Sequence, residues 1–309
     1  MRAWIVGIGV AVPGLLGPIR PAWAQSKPPE IVSPFMGSFS QAIPIQVPAF
    51  RGLEPKLVLG YSSEARSGFV GMGWSLSGWS SIERAKPGRG TPRYNTNDIY
   101  MLDGAELITC PGGTTSPGCT SGGSHATKNE SFLKIKYDTP SNSWTVWGRD
   151  GTRTVFTPVY LVGANTFRWG QTSVIDTHGN TVTYAWACDQ GDCYPDTITY
   201  GPYSVRFFRQ ARPDRMSFAT GSATTLGTTL FSLRSIKITG SGTNIRAYKL
   251  THVQSTVNKR SLLTEVQQFG RDAVIDGAGL ITGGTSLPAM KFTYKGNAND
   301  KTFQLWAGY

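Results

Sequence analysis

Apolar residues in this chain recur at every second position over short runs. In 42–48, Ile43, Ile45 and Val47 fall on one face, and in 56–61 Leu57, Leu59 and Tyr61 do the same. Period-two alternation over such lengths predicts half-buried strands, with Pro48, Gly52 and Pro55 marking the reversal between these two. Further strands are predicted at 74–82, 98–102, 106–110, 132–137, 144–147 and 154–156. The second half adds 167–176, 181–187, 197–200, 204–209, 233–239, 245–252, 262–269 and 289–294. No amphipathic helix of three turns stands out, and 262–268 is the only segment that would also suit a helix. Asp103-Gly104 and Asp150-Gly151 are two-residue turns of the kind that reconnect antiparallel strands, because glycine tolerates positive φ. The expected fold is all-β: antiparallel meander sheets, sandwich- or shell-like, with few or no helices. The Gly/Ser/Thr-rich stretch 111–128 reads as a mobile low-complexity loop.

One hairpin carries its own chemistry. Asp176 can accept hydrogen bonds from turn amides, Gly179 or Asn180 can take left-handed geometry, and Val182, Tyr184 and Trp186 then share a face. Composition narrows the class further. Gly 37 and Pro 19, with charged residues at 16% against the roughly 25% of average domains, argue against bundles and coiled coils. A hydrophobic content of 39% argues against disorder. The length of 309 residues accommodates about two domains or one large β domain.

The amino terminus reads as an export signal: Met1-Arg2, an apolar run over 3–17, then Ala22-Trp23-Ala24 as a cleavage site. That run is short of the roughly 20 residues that span a bilayer. The expected organisation is a signal peptide at 1–24, a linker at 25–41, a β module at 42–160 and a second β-rich part at 161–309. The protein is expected to be secreted, with no stable membrane insertion. The net charge of +11 includes Arg2 and Arg20 of the leader. A basic surface favours polyanions or an acidic partner. The densest groups, Arg84/Lys86/Arg89/Arg93 and Arg206/Arg209/Arg212/Arg215, are interspersed with other residues, so a solvated surface is the expectation and no nucleic acid is. The four cysteines form two local pairs, Cys110/Cys119 and Cys188/Cys193. Three connectivities are open to them, and proximity favours two local disulfides. A zinc site is the rival, but neither spacing is a CxxC knuckle.

The segment Ser38-Phe39-Ser40-Gln41-Ala42-Ile43-Pro44-Ile45, then Arg51-Gly52-Leu53-Glu54-Pro55, then Gly68-Phe69-Val70-Gly71-Met72-Gly73-Trp74-Ser75-Leu76-Ser77-Gly78, closely resembles the N-terminal module of the Salmonella virulence plasmid B (SpvB) family. That module is shared with the B components of insecticidal Tc toxins and with RHS/YD-repeat proteins. Arg212-Pro213-Asp214, Leu233-Arg234-Ser235-Ile236 and Pro288-Ala289-Met290-Lys291-Phe292-Thr293-Tyr294 fit the same resemblance, which covers roughly 35–306. The Asp176–Tyr184 hairpin looks like a single YD-type unit, without the sustained period of a repeat array. The resemblance implies a secreted, non-enzymatic module that helps to assemble a toxin-encapsulating shell or an exported surface protein. Its partners would be other β modules in cis or in trans. Phe303-Gln304-Leu305-Trp306 resembles the start of a next module.

The residues themselves offer little chemistry. The ADP-ribosyltransferase activity known in the SpvB family belongs to a separate domain marked by Ser-Thr-Ser and Glu-x-Glu, and neither occurs here. No HExxH, G-x-S-x-G, P-loop or EF-hand pattern is present either. Asp98, Asp103 and Glu106 could converge across a hairpin as the paired carboxylates of glycoside hydrolysis, a third-ranked reading. His125, His178 and His252 are isolated in sequence. Trp74, Trp79, Trp144, Trp147, Trp169, Trp186 and Trp306 read chiefly as packing residues. Stacking of cell-surface glycans on Trp147 or Trp169 is the alternative, in a stand-alone adhesion module. No catalytic residue, cofactor or metal is expected. Gly68, Gly71, Gly73, Trp74 and Gly78 are taken as structural, the glycines permitting close backbone approach beside the indole.

Overall fold

The structure, a computed structural model, describes residues 30–110, 116–189, 191–221 and 225–294. The expected signal peptide and Trp306 lie outside the described residues. Strands β1 (Glu30–Val32), β2 (Phe39–Ile45), β3 (Leu57–Ser62) and β4 (Trp74–Ser77) form an antiparallel sheet in chain order. Alternation places Ile43 and Ile45 of β2, and Leu57 and Leu59 of β3, in the core.

The next strands close on themselves. They are β5 (Ser81–Ala85), β6 (Ile99–Leu102), β7 (Ala105–Thr109), β8 (His125–Thr127), β9 (Lys134–Asp138), β10 (Ser143–Trp147), β11 (Arg153–Val162) and β12 (Asn165–Ile175), with a one-turn helix α1 (Pro117–Thr120) before β8. Each strand pairs with the next, and Trp169 of β12 pairs back with Ile82 of β5, so eight strands make a barrel-like ring. Closure leaves the ring no free edge. Its interior holds Ile82, Leu107, Ile135, Trp144, Phe156 and Trp169. The Asp103-Gly104 turn has φ of 48° and 82°, the double left-handed geometry of a two-residue hairpin.

The far end of β12, still paired with β11, links the ring to the next sheet. Ser173 to Ile175 pair with β13 (Thr181–Cys188), and the meander continues through β14 (Cys193–Tyr200), β15 (Tyr203–Ala219), β16 (Leu226–Gly240), β17 (Thr243–Gln254) and β18 (Ser261–Phe269). A small hairpin, β19 (Val274–Ile275) and β20 (Ile281–Gly283), follows, and β21 (Met290–Lys291) pairs with β18. The β1–β4 sheet packs on this meander through one apolar core. Ile43, Leu59, Val70 and Trp74 on one side meet Val205, Ile236, Tyr248 and Leu263 on the other. Chain order thus runs sandwich, barrel, sandwich.

The all-β antiparallel expectation is met, with local corrections. The stretch 25–41 carries β1 and the start of β2. The run 74–82 is two strands in different sheets, broken at Gly78, whose φ is 121°. The loop 111–128 contains α1 and β8: Pro117 opens the helix, Ser116 Oγ accepts from Gly118 N at 3.2 Å, and His125, Ala126 and Thr127 are buried. The segment 262–268 is strand, not helix: from Ser261 to Phe269 it pairs antiparallel with β17, with one bulge opposite Thr251/His252. The expected boundary at 160/161 falls within β11, and 39–77 packs with 181–291 across the barrel that interrupts them.

Candidate functional site

The Gly-Trp segment lies where the two sheets of the sandwich meet. Between β3 and β4 the chain turns back on itself, Gly68 and Gly71 exchanging N–H···O bonds of 3.1 and 3.2 Å. The tip reaches the meander and is held there by its own main chain. Phe69 O accepts from Leu233 N at 2.9 Å, Val70 O from His252 Nε2 at 2.7 Å and Gly68 O from Arg212 Nη1 at 2.9 Å, while Met72 N donates to Ser261 O at 2.8 Å. A side chain at Gly71 would come to 3.1 Å of Ser261 O, and one at Gly73, where φ is 77°, to 2.6 Å of the Tyr61 ring. Satisfying buried carbonyls and amides across two sheets is obligatory once water is excluded.

Arg212-Pro213-Asp214 supplies the other half of this clasp. The β15–β16 register jumps between Ala211 and Met216, so these residues bulge out of the ladder. Arg212 Nε and Nη2 bond the two Asp214 oxygens at 3.1 and 3.0 Å, and both side chains are buried, at 0% and 3% exposure. Arg212 also donates to Ser67 Oγ at 3.2 Å. Asp214 accepts from Ser261 N at 2.9 Å and from the Ser261 hydroxyl. Burial alone would raise the Asp214 carboxyl, but the hydrogen bonds from Arg212 and Ser261 outweigh it and hold it at about 2. A buried ion pair is tolerated only when its remaining donors and acceptors are met, as they are here.

His252 is neutral by geometry: Val70 O can only accept, so Nε2 carries the proton and Nδ1 faces Gln210 Nε2 at 3.3 Å. Burial pushes its pKa below the ordinary histidine value. Trp74 packs at a tilt against Tyr61 and Phe292 with ring centroids 5.3 and 4.9 Å away. Its Nε1 donates to Tyr294 Oη at 2.8 Å, and Tyr294 donates on to Leu263 O at 2.7 Å. Ser261, His252 and Tyr294 were not legible as partners of the motif, since their separations in sequence exceed 180 residues for the first two and 200 for the third.

The remaining candidates each have a local partner. In the β12–β13 hairpin, Asp176 Oδ1 accepts from His178 N and Asn180 N at 2.9 and 2.8 Å, and Asn180 Nδ2 donates to Oδ2 at 2.6 Å. Gly179 there has φ 81°. The Asn180 bond holds the Asp176 carboxyl below its ordinary value. Tyr184 is buried, and burial pushes its phenol up to about 12. Disulfides join Cys110 to Cys119 and Cys188 to Cys193. Asp98 accepts from Arg93 N and Tyr94 N, Asp103 from Ser81 N, and Glu106 pairs with Lys128 at 3.1 Å. Each of these carboxylates builds a turn or a surface pair. Trp169, offered as a glycan platform, is fully buried, its Nε1 bonded to Asn142 O, whereas half-buried Trp147 lies under Lys134 Nζ at 5.0 Å. Among the described residues no His, Cys, Asp and Glu side chains group as metal ligands, and no helix is long and apolar enough to cross a membrane.

This arrangement is that of an all-β module whose fold resembles the N-terminal domain of SpvB and a part of TcdB2-TccC3. Residues 33–139 match the family described as Salmonella virulence plasmid 65kDa B protein. Over 72 residues the chain is 35% identical to the mono(ADP-ribosyl)transferase SpvB of Salmonella typhimurium, a match covering 23% of this chain and 12% of that protein. The N-terminal domain of SpvB from Salmonella typhimurium strain LT2 superposes with a TM-score of 0.63 at 16% identity, covering 74% of this chain and 98% of that one. The TcdB2-TccC3 crystal structure gives 0.66 at 17% identity, over 86% of this chain and 17% of that one. A Photorhabdus luminescens Tc holotoxin pore gives 0.67 at 17% identity, over 87% and 16%. At these identities the structural likeness is one of fold. The matched region is a small part of the curated relatives and of the Tc complexes.

Proposed function

We propose that this chain serves as an exported, non-enzymatic scaffold that docks onto further β modules of a Tc-toxin-B/SpvB-type assembly. One observation carries the reading: a fold that spans most of this chain recurs as about a sixth of a far larger toxin polypeptide, TcdB2-TccC3. There it is one part among many. The site supports the same reading, because its charged and aromatic groups are consumed in joining two sheets. Two disulfides suit an oxidising compartment outside the cytoplasm.

The test is association. The secreted chain is mixed with a YD-repeat shell polypeptide from the same genome and resolved by size exclusion. Co-elution is expected. A chain that stays monomeric with every such polypeptide contradicts the proposal.

A further inference from the structure

Beside the clasp lies an open cleft of about 740 Å³, the size of a ligand site rather than a packing defect. Arg66, Arg215 and Arg260 line it, and none of them forms an ion pair with any described residue. The fourth arginine of the wall differs: Arg168 is already neutralised by Glu83 at 2.6 Å and Asp192 at 2.9 Å. Phe69, Met72 and Phe218 supply apolar surface between the charges.

The three unpaired arginines come from three separate elements, yet each is the chain neighbour of a clasp residue. Arg66 precedes Ser67, Arg215 follows Asp214 and Arg260 precedes Ser261. The second member of each pair is turned inward and hydrogen-bonded to the Arg212–Asp214 unit. The clasp therefore fixes the backbone from which all three guanidinium groups project. A receptor whose charged side chains rise from backbone fixed before binding pays less ordering entropy on capture than one on mobile loops. Guanidinium forks match carboxylates bidentately, as Arg212 does with Asp214 in the adjacent clasp, and on the cleft wall Arg168 already pairs with Asp192.

We propose that this cleft receives an acidic peptide segment of a partner polypeptide, its carboxylates engaged by Arg66, Arg215 and Arg260 and its apolar side chains by Phe69, Met72 and Phe218. The mixed lining and the spread of charge over three elements favour an extended chain over a single small anion. The net charge of +11, or +9 (30 − 2 − 19) once Arg2 and Arg20 leave with the expected leader, gives such a segment a long-range attraction. This deepens the docking reading above and rests on it by naming the partner's chemistry.

A fluorescein-labelled octapeptide alternating Glu with Phe and Leu, and its Gln analogue, are titrated into the full chain by anisotropy. The acidic peptide is expected to bind, more weakly at high salt, and the Gln analogue not to bind. The Arg66→Gln/Arg215→Gln/Arg260→Gln variant should lose at least about tenfold in affinity with its thermal midpoint retained. No peptide binding, equal binding by the triple variant, or displacement of the peptide by equimolar inorganic phosphate overturns the inference. Co-elution with the shell polypeptide separates the two readings. Co-elution that survives the triple substitution overturns the cleft and leaves the scaffold reading standing. Peptide capture without co-elution of the unsubstituted chain upholds the cleft's chemistry and removes the scaffold reading.

Discussion

At the scale of single residues, the clasp turns on groups that have no spare partner. Asp214→Asn leaves Arg212 charged and buried beside a neutral amide, and a broken buried pair costs about 3–5 kcal/mol. Urea denaturation should show this loss; a change under about 0.5 kcal/mol, the scale of surface substitutions, contradicts it. Gly73→Ala drives a methyl to 2.6 Å of the Tyr61 ring at a φ of 77°. It should destabilise by about 1–3 kcal/mol, whereas Gly60→Ala, whose Cβ would meet nothing closer than 3.5 Å, serves as the tolerant control. Equal stability of the two variants would refute the close-approach argument. The importance of Gly73 and Trp74 was legible in the motif itself. The destination of the indole was not, because alternation tells which face is buried and is silent on what covers it.

Single elements carry the pH and redox behaviour. His125 on β8 packs its ring edge-on to Trp144 at 4.8 Å, and burial pushes its pKa down to about 4. Folding thus favours the neutral ring. Its contribution is complete above the unfolded value near 6.5 and is lost as pH falls through 4, a change on the order of 3 kcal/mol. His125→Phe should flatten the fall in stability between pH 6.5 and 4, with His252 sustaining part of the slope because burial lowers its pKa too. A wild-type slope in the variant would show that His125 takes no part. Asp214 acts in a lower window: its depressed pKa keeps its contribution intact above about 4 and releases it toward 2. The Cys110–Cys119 bridge closes a loop of nine residues' separation that holds α1 against β9. Cys110→Ser/Cys119→Ser should cost about 2–3 kcal/mol in urea, and no loss would mean that the capped helix holds by itself.

Element existence was largely readable, and element partnership was not. The strands around Ile43, Leu57, Trp144 and Val182 follow from period two, and the Asp103-Gly104 turn from its residue types. The three-residue strand β8 has too few positions to show a period, and the α1 signal of Ser116-Pro117 lies in a run of turn formers. Closure of the ring depends on β12 finding β5 across more than 80 residues, a choice made by the packing of Trp169 on Trp144 and Tyr100. The break at Gly78 was hidden because serines and apolar residues alternate on both sides of it.

For the whole molecule, the motif joins two sheets into one cooperative unit. The β1–β4 sheet buries its apolar face against β13–β18 and against the segment from Met290 to Tyr294. Loss of the clasp should therefore loosen both layers together. Hydrogen exchange of Asp214→Asn against the unsubstituted chain, followed residue by residue, tests this most directly. Amides of β2 and β3 should lose protection in step with those of β16 to β18, while the ring around Trp144 keeps its own. Unchanged protection across β2, β3 and β16 to β18, or a loss confined to residues next to position 214, would contradict it.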